Sequence, residues 1–468
     1  MAQAATVTLP KRLPLVIAPE NRGSTPDKDS RLINCYTEKQ ADGEYWIYRR
    51  PGLAQSSRPS GGAANGYGMF NWLGNIYAIF GSTVYKDGVA LAGTVNTTNG
   101  VYRFDNCLGA APKMQLGNGV KGYNYSSGAG LVEITDAQFP TAFRKGWAYL
   151  NGTTYVALSS SGAIQGSDIN DPTSWAALNT LTAQIEPDHN VALNKQLVYV
   201  VDFKQWSVEV FYDAQNATGS PLGRVEGAKV DYGCASQELV QKLDDSIFWV
   251  TANQSPLRQV AAFRGLKDQI VSTPAIDRLV TAWDLTTCFS WQLMLNGHRW
   301  YVITSKISNM TLAYDVGENM WEQWTDVNGN YLPIVSSTYN SSGQALLQGE
   351  SDGYIYTMSP TQKTDYNNLI TVDIYTPNFD GGTRRGKQLN MMYFIGDQVE
   401  GSTLQVRSND FDYQPTKWSN FRDVDLGAET PMLEQEGTFA RRAYNFRHRA
   451  NTDFRLAAVD LQMDLCTL

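Results

Sequence analysis

Thr154-Tyr155-Val156-Ala157-Leu158, Leu197-Val198-Tyr199-Val200-Val201, Ile247-Phe248-Trp249-Val250-Thr251 and Trp300-Tyr301-Val302-Ile303-Thr304 are four versions of one short apolar run. Rich in β-branched and aromatic residues and bounded by polar turns, each run reads as a buried strand. Each is followed by a second strand that ends in a polar loop. Ser167-Asp168-Ile169-Asn170-Asp171-Pro172-Thr173-Ser174-Trp175 and Tyr314-Asp315-Val316-Gly317-Glu318-Asn319-Met320-Trp321 are two such endings. With Ile76, Gln115, Tyr155, Val198, Phe248, Tyr301 and Ala345 as anchors, the pattern recurs every 39 to 53 residues. A four-stranded blade of a radial propeller needs about 40–50 residues. The sequence therefore predicts an all-β protein with a six- or seven-bladed β-propeller over residues 61–365.

On either side the texture changes. Residues 1–60 carry Leu9-Pro10, Leu13-Pro14, Ala18-Pro19 and Thr25-Pro26, and each proline pushes its predecessor into extended geometry. This segment reads as an extended arm or platform, closed by the Ser-, Gly- and Pro-rich linker from Ser56 to Asn65. Beyond the propeller, Thr371–Tyr375, Gln388–Phe394, Thr403–Arg407, Arg442–Arg447 and Leu456–Leu461 read as separate strands, which predicts a β-sandwich over 366–468. One helix is expected at Pro274–Val280, capped by Ser272 or Thr273.

Composition narrows the chemistry. With 42% hydrophobic and 18% charged residues the chain has the material for packed cores, and 40 glycines, 25 tyrosines and 12 tryptophans suit turns and pleated surfaces. A net charge of −8 argues against gripping DNA over the whole surface and permits an acidic wall along which DNA slides. Five cysteines, odd in number and never in a C-x-x-C pair, read as buried free thiols in a reducing compartment. The first residues show no signal pattern and no apolar run approaches a membrane span, so cytoplasmic synthesis without membrane insertion is expected. The N-x-S/T triplets at Asn96, Asn124, Asn151, Asn216, Asn309 and Asn340 read as turn composition.

No catalytic, metal-ligating or cofactor-binding constellation emerges. His189, His298 and His448 lie far apart, and His298, in Asn296-Gly297-His298-Arg299, reads as a solvated hairpin turn. The glycines around Gly117-Asn118-Gly119 open no helix, which removes the phosphate-cradle reading. Asp202, Asp244, Asp245, Asp315 and Asp326 sit in no motif that forces two together, and Asp244-Asp245 reads as a turn. The candidate contact residues are the arginine pairs Arg49-Arg50, Arg384-Arg385 and Arg441-Arg442, with Arg447, because guanidinium forks pair with the carboxylates of an acidic partner. The competing reading is a solvated strand face.

Several stretches carry a resemblance. Trp206-Ser207-Val208-Glu209-Val210-Phe211-Tyr212 fits a Ser/Thr-x-Glu-x-Phe/Trp-Tyr strand. It is followed in order by Val225–Ala228, Tyr232–Ser236, Leu243–Trp249, Val260–Gly265 and Ile270–Ile276. Arg31–Glu38, Arg50-Pro51-Gly52-Leu53 and Ser159–Trp175 add to the series. Together they resemble the packaged-DNA stabilisation proteins, the tail hubs or nozzles of short-tailed bacteriophages. The resemblance implies a structural virion protein without catalysis or cofactor, made in the host bacterial cytoplasm and carried in the tail. It implies a homo-oligomer, usually a hexamer, that docks below the portal and its head-to-tail adaptor, bears tail spikes or fibres, and admits a tail needle. Packaged DNA is retained, then passes through the lumen without sequence-specific binding, and six copies would give that ring a charge of about −48. The rival reading is a propeller-type glycoside hydrolase or carbohydrate-binding protein, for which the tryptophans would serve as sugar platforms.

Overall fold

The computed structural model describes residues 11–15, 30–108, 111–183, 185–412, 414 and 416–466. The chain forms two compact units. One comprises 55–309 and 333–358; the other comprises the segments up to 54, 310–332 and 359–468. The expected strand-inducing prolines Pro10, Pro19 and Pro26 lie outside the described residues.

The first unit is a β-propeller. Four antiparallel four-stranded sheets follow one another, beginning at Gly66–Trp72, Arg103–Cys107, Phe143–Leu150 and Asn190–Gln196. The fifth sheet is built from Gly233–Cys234, Gln241–Leu243, Ser246–Ala252, Val260–Arg264 and Lys267–Ile270. The hairpin Cys288–Leu295/His298–Ser305 and the strands Ile334–Tyr339, Ala345–Gly349 and Ile355–Ser359 complete the unit. The seven anchors Ile76 to Ala345 fall on, or one residue before, the second strand of these seven sheets.

Hydrogen bonds carry the innermost strands around a full circle of seven. Tyr102 N donates to Tyr67 O at 2.6 Å, Tyr149 N to Asp105 Oδ2 at 2.8 Å, and Arg144 Nε to Asn190 O at 2.7 Å. Gln196 Nε2 then reaches Asp245 O at 2.9 Å, Gln241 Nε2 reaches Ser290 O at 2.6 Å, and Ser337 Oγ reaches Gln292 O. Met69 N closes the ring on Ser336 Oγ at 3.0 Å. The blades are therefore seven. Close packing between them leaves no room for side chains at certain points: a Cβ on Gly146 would stand 1.8 Å from Leu193 O of the next blade.

Between blades the core is aromatic. Trp249, Trp291 and Trp300 are fully buried, Trp72, Trp147 and Trp175 nearly so, and rings such as Phe203–Trp249 meet edge to face at 5.1 Å. The expected helix forms as Pro274–Ala282, with Thr273 Oγ1 accepting from Ile276 N. Two details differ from expectation. Ser167–Trp175 is not one loop, because only Ile169-Asn170 turn and Asp171–Thr182 is a strand that buries Trp175. His298 is not solvated either: Asn296 and Gly297, both at positive φ, take the turn, and His298 starts a strand buried on Trp300, ring centroids 5.1 Å apart.

The second unit is a sandwich of two sheets. One contains Cys35–Lys39, Tyr45–Arg49, Arg455–Leu465, Lys387–Gly396 and Met432–Phe439, with Lys11–Arg12 added beside Arg455–Leu465. The other joins Met310–Asp315, Met320–Trp324, Arg31–Ile33, Val372–Tyr375, Ala443–His448, Thr403–Asn409 and Arg422–Asp425. Leu13, Leu32, Cys35 and Ile47 share one apolar core with Val372, Met392, Val406, Phe446 and Val459. Residues 30–50 supply strands to both sheets of this unit, and the hairpin Met310–Asp315/Met320–Trp324, read from the sequence as propeller, groups with it as well. The physical reason is alternation: Leu32, Cys35 and Ile47 need an apolar face that 372–461 provides.

Candidate functional site

The arginines expected at the surface separate into three groups. Arg50 is wholly buried, and every one of its five N–H donors is used. Nε reaches Asn34 Oδ1 at 2.9 Å, Nη1 reaches Pro51 O at 3.0 Å and Asp365 Oδ1 at 3.3 Å, and Nη2 reaches Thr325 O at 2.9 Å and Asp365 Oδ2. Arg49 points at His448, its Nη2 2.7 Å from Nδ1. A guanidinium can only donate, so Nδ1 is the acceptor and His448 carries its proton on Nε2, which donates to Ser402 Oγ at 2.9 Å. Burial, and then the Arg49 charge, press the His448 imidazole down to about 3. Arg442 is buried and grips Asp410 with Nε and Nη2 at 2.5 and 2.8 Å. These three are internal struts, because a buried cation is tolerable only when satisfied from within.

Arg447 is half-buried and forked on Asp373 at 2.9 and 3.3 Å, while Arg441 pairs with Asp412 at 2.7 Å near the surface. Arg384 and Arg385 alone of the set are exposed and have no side-chain partner among the described residues. Their loop is held from beneath. The buried Lys387 ammonium donates to Thr383 O, Arg385 O and Ala440 O at 2.6, 2.8 and 2.9 Å, its proton affinity lowered chiefly by burial. Sequence pairing of arginines could not separate these groups, because the partners lie tens to hundreds of residues away.

The propeller axis is where a propeller enzyme would gather its chemistry. The fifth blade's innermost strand is interrupted by a 3₁₀ turn, Gln237–Leu239, capped by Ser236. That turn spans the axis. Arg103 Nη2 donates to Glu238 O at 3.1 Å, Ser290 Oγ donates to the same oxygen at 2.6 Å, and Lys145 Nζ forms an ion pair with the Glu238 carboxylate. Two cavities of about 350 and 360 Å³ lie along the inner strands, with Glu238 and Lys145 in the wall of the second. The first holds Asp105, whose carboxyl accepts from Asn106 N and Tyr149 N and is pushed up to about 6 by burial.

Carboxylates do converge elsewhere. Asp188 and Glu209 clasp Lys204 Nζ at 2.7 and 3.1 Å, with Asp202 opposite Glu209 in register and burial holding the Asp202 carboxyl well above its ordinary range. All four side chains are buried, so no substrate reaches them. Asp244 and Asp245 are spent on Arg299 and Arg264 at 2.9 and 2.7 Å, and Asp315 and Asp326 on turn amides. Among the described residues no group of three or more His, Cys, Asp or Glu is placed to hold a metal. Of the five thiols expected to be buried, Cys35, Cys107, Cys234 and Cys288 are, whereas Cys466 is half-buried.

Among solved structures the chain is similar to a streptogramin B lyase, with 10% identity and a TM-score of 0.43 over 66% of this chain and 98% of that one. It is likewise similar to a virginiamycin B lyase from Staphylococcus aureus (9%, 0.44, 66% and 99%) and to the N-terminal domain of Nup159 (11%, 0.39, 70% and 99%). No curated protein matches. A family profile described as bacteriophage P22 Gp10, β-propeller, matches residues 33–361, which takes in the hairpin Cys35–Lys39/Tyr45–Arg49 and the whole circle of blades. With a closed seven-bladed ring observed over the same residues, this chain belongs to the phage stabilisation family typified by the P22 Gp10 β-propeller, a family of phage structural proteins.

Proposed function

We propose that the chain is a tail hub: a structural, non-catalytic virion component that docks below the portal–adaptor, retains packaged DNA and forms part of the ejection channel. The observation that carries this reading is the family match across residues 33–361. The propeller axis supports it by exclusion. The Glu238 turn crosses the axis, and a cavity of about 350 Å³ cannot admit a duplex, so DNA must run between copies of the chain. A closed ring of copies, six in the simplest reading, supplies such a lumen. The net charge of −8 per copy favours passage over adhesion.

Docking on the adaptor or on spikes falls to Arg384 and Arg385, the exposed pair whose loop Lys387 pre-orders. Negative-stain imaging of the purified protein, with and without a portal–adaptor complex, tests the proposal. Rings that appear on the complex are the expected result. A persistent monomer that cleaves a glycan overturns it.

A further inference from the structure

The first axial cavity has a chemistry that the hub reading does not use. Lys195 of the fourth blade and Lys242 of the fifth line it, facing one carboxylate, Asp105 of the second. Among the described residues neither lysine has a carboxylate at ion-pair distance; Lys195 Nζ instead stands 5.6 Å from the Tyr149 ring centroid. The two ammoniums oppose each other. Burial is the main cause that lowers the Lys195 proton affinity; the Asp105 charge raises it, and the Lys242 charge lowers it by less.

The neutral groups of the wall are turned the same way. Asn194 Oδ1 accepts from Lys195 N at 2.8 Å, Ser336 Oγ from Met69 N at 3.0 Å, and Gln237 Oε1 from Lys145 N at 3.2 Å. Each acceptor is thus spent on a backbone amide, which leaves the Asn194 and Gln237 NH₂ groups and the Ser336 hydroxyl proton as donors. Both Asp105 oxygens are likewise engaged by backbone N–H groups. A cavity with two unpaired ammoniums and three spare neutral donors is complementary to an acceptor-only, negatively charged guest. At about 350 Å³ it has room for a tetrahedral anion with several waters of about 30 Å³ each.

We propose that this axial cavity, where Lys195 and Lys242 from neighbouring blades meet the donors of Asn194, Gln237 and Ser336, is a binding site for a small oxyanion of the phosphate or sulfate type. The site stands independently of the hub reading, since all its residues lie within one propeller. A bound anion pins the fourth, fifth and seventh blades to one another.

Calorimetric titration of the full chain with inorganic phosphate, against sodium chloride at matched ionic strength, tests it. Saturable binding to one site per chain is expected, with sulfate competing and the melting temperature rising in phosphate but not in chloride. Lys195→Met and Lys242→Met should each weaken binding about tenfold or more, while Lys229→Met, whose ammonium pairs with Glu186 and Asp231, should bind as the unaltered chain does. Lys242 is exposed, so its variant decides the matter even if Lys195→Met fails to fold. Heats of dilution alone, an equal effect of chloride, or wild-type affinity in Lys242→Met overturns the proposal. None of these results bears on whether rings form on a portal complex.

Discussion

Replacing Arg50 with methionine removes a charge from a site where nothing else can satisfy what remains. The thioether fills most of the space of the arginine stem, so the loss is electrostatic more than steric. Asp365 keeps Leu53 N at 3.0 Å but loses both guanidinium bonds, and Asn34 Oδ1, Pro51 O and Thr325 O each lose a donor. Removing one partner of a buried ion pair costs about 3–5 kcal/mol, and orphaned neutral acceptors about 1 kcal/mol each where water cannot enter. These terms overlap, so about 4 kcal/mol is expected for Arg50→Met. For a domain of 150–250 residues that is a fall of roughly 8–16 °C in the melting transition of the sandwich unit. Asp365→Asn should cost about 3 kcal/mol, and Arg50→Met with Asp365→Asn should cost clearly less than the sum of the singles. Scanning calorimetry of the four proteins reads this directly. A loss below about 1 kcal/mol for Arg50→Met, or an unchanged melt with lost ring assembly, would refute the strut and restore Arg50 as a docking residue.

His448 predicts a pH dependence. Its folded value of about 3 lies below the ordinary 6.5, so under pH 6.5 the unfolded chain takes up a proton that the folded chain refuses. Stability contributed by the neutral ring is intact above pH 6.5 and falls by about 1.4 kcal/mol per pH unit toward pH 4; His448→Gln should flatten that slope in urea titrations. Gly146→Ala forces a Cβ onto Leu193 O and should destabilise the propeller by about 3 kcal/mol or abolish folding, as urea denaturation or a loss of soluble yield would report. Arg384→Glu with Arg385→Glu should leave the unfolding free energy within about 0.5 kcal/mol of wild type yet weaken attachment to a portal–adaptor complex, measured by co-sedimentation at low and high salt. Thr273→Ala should cost about 1 kcal/mol by loss of the helix cap, read from the same denaturation curves.

The propeller was legible because its information is local. A second strand such as Thr153–Leu158 or Ser246–Ala252 is buried on both faces, so it announces itself as an unbroken apolar run. The later sandwich strands were legible for a similar reason, although Met432–Phe439 was missed because six of its eight positions are exposed or half-exposed and polar in texture. The arginine pairs defeated sequence reading because Arg50 meets Asp365 and Arg442 meets Asp410 only after folding. Arg441 lies in a bend and Arg442 bridges to Phe379 just before the strand Ala443–His448, so the two share a spelling and not an environment. His298 failed for a subtler reason: the turn ended one residue early, and the ring dropped onto Trp300.

Because Arg31–Ile33 pairs with Val372–Tyr375, and Tyr45–Arg49 with Arg455–Leu465, the opening strands wait through most of translation for their neighbours. A ribosome delivers the propeller residues in between, and those can condense while the first hairpin is still unpaired. A chain released early would display bare strand edges at its leading end, a sticky mark of incompleteness. Finishing synthesis erases that mark, so only full-length copies present a quiet surface to whatever machinery assembles them.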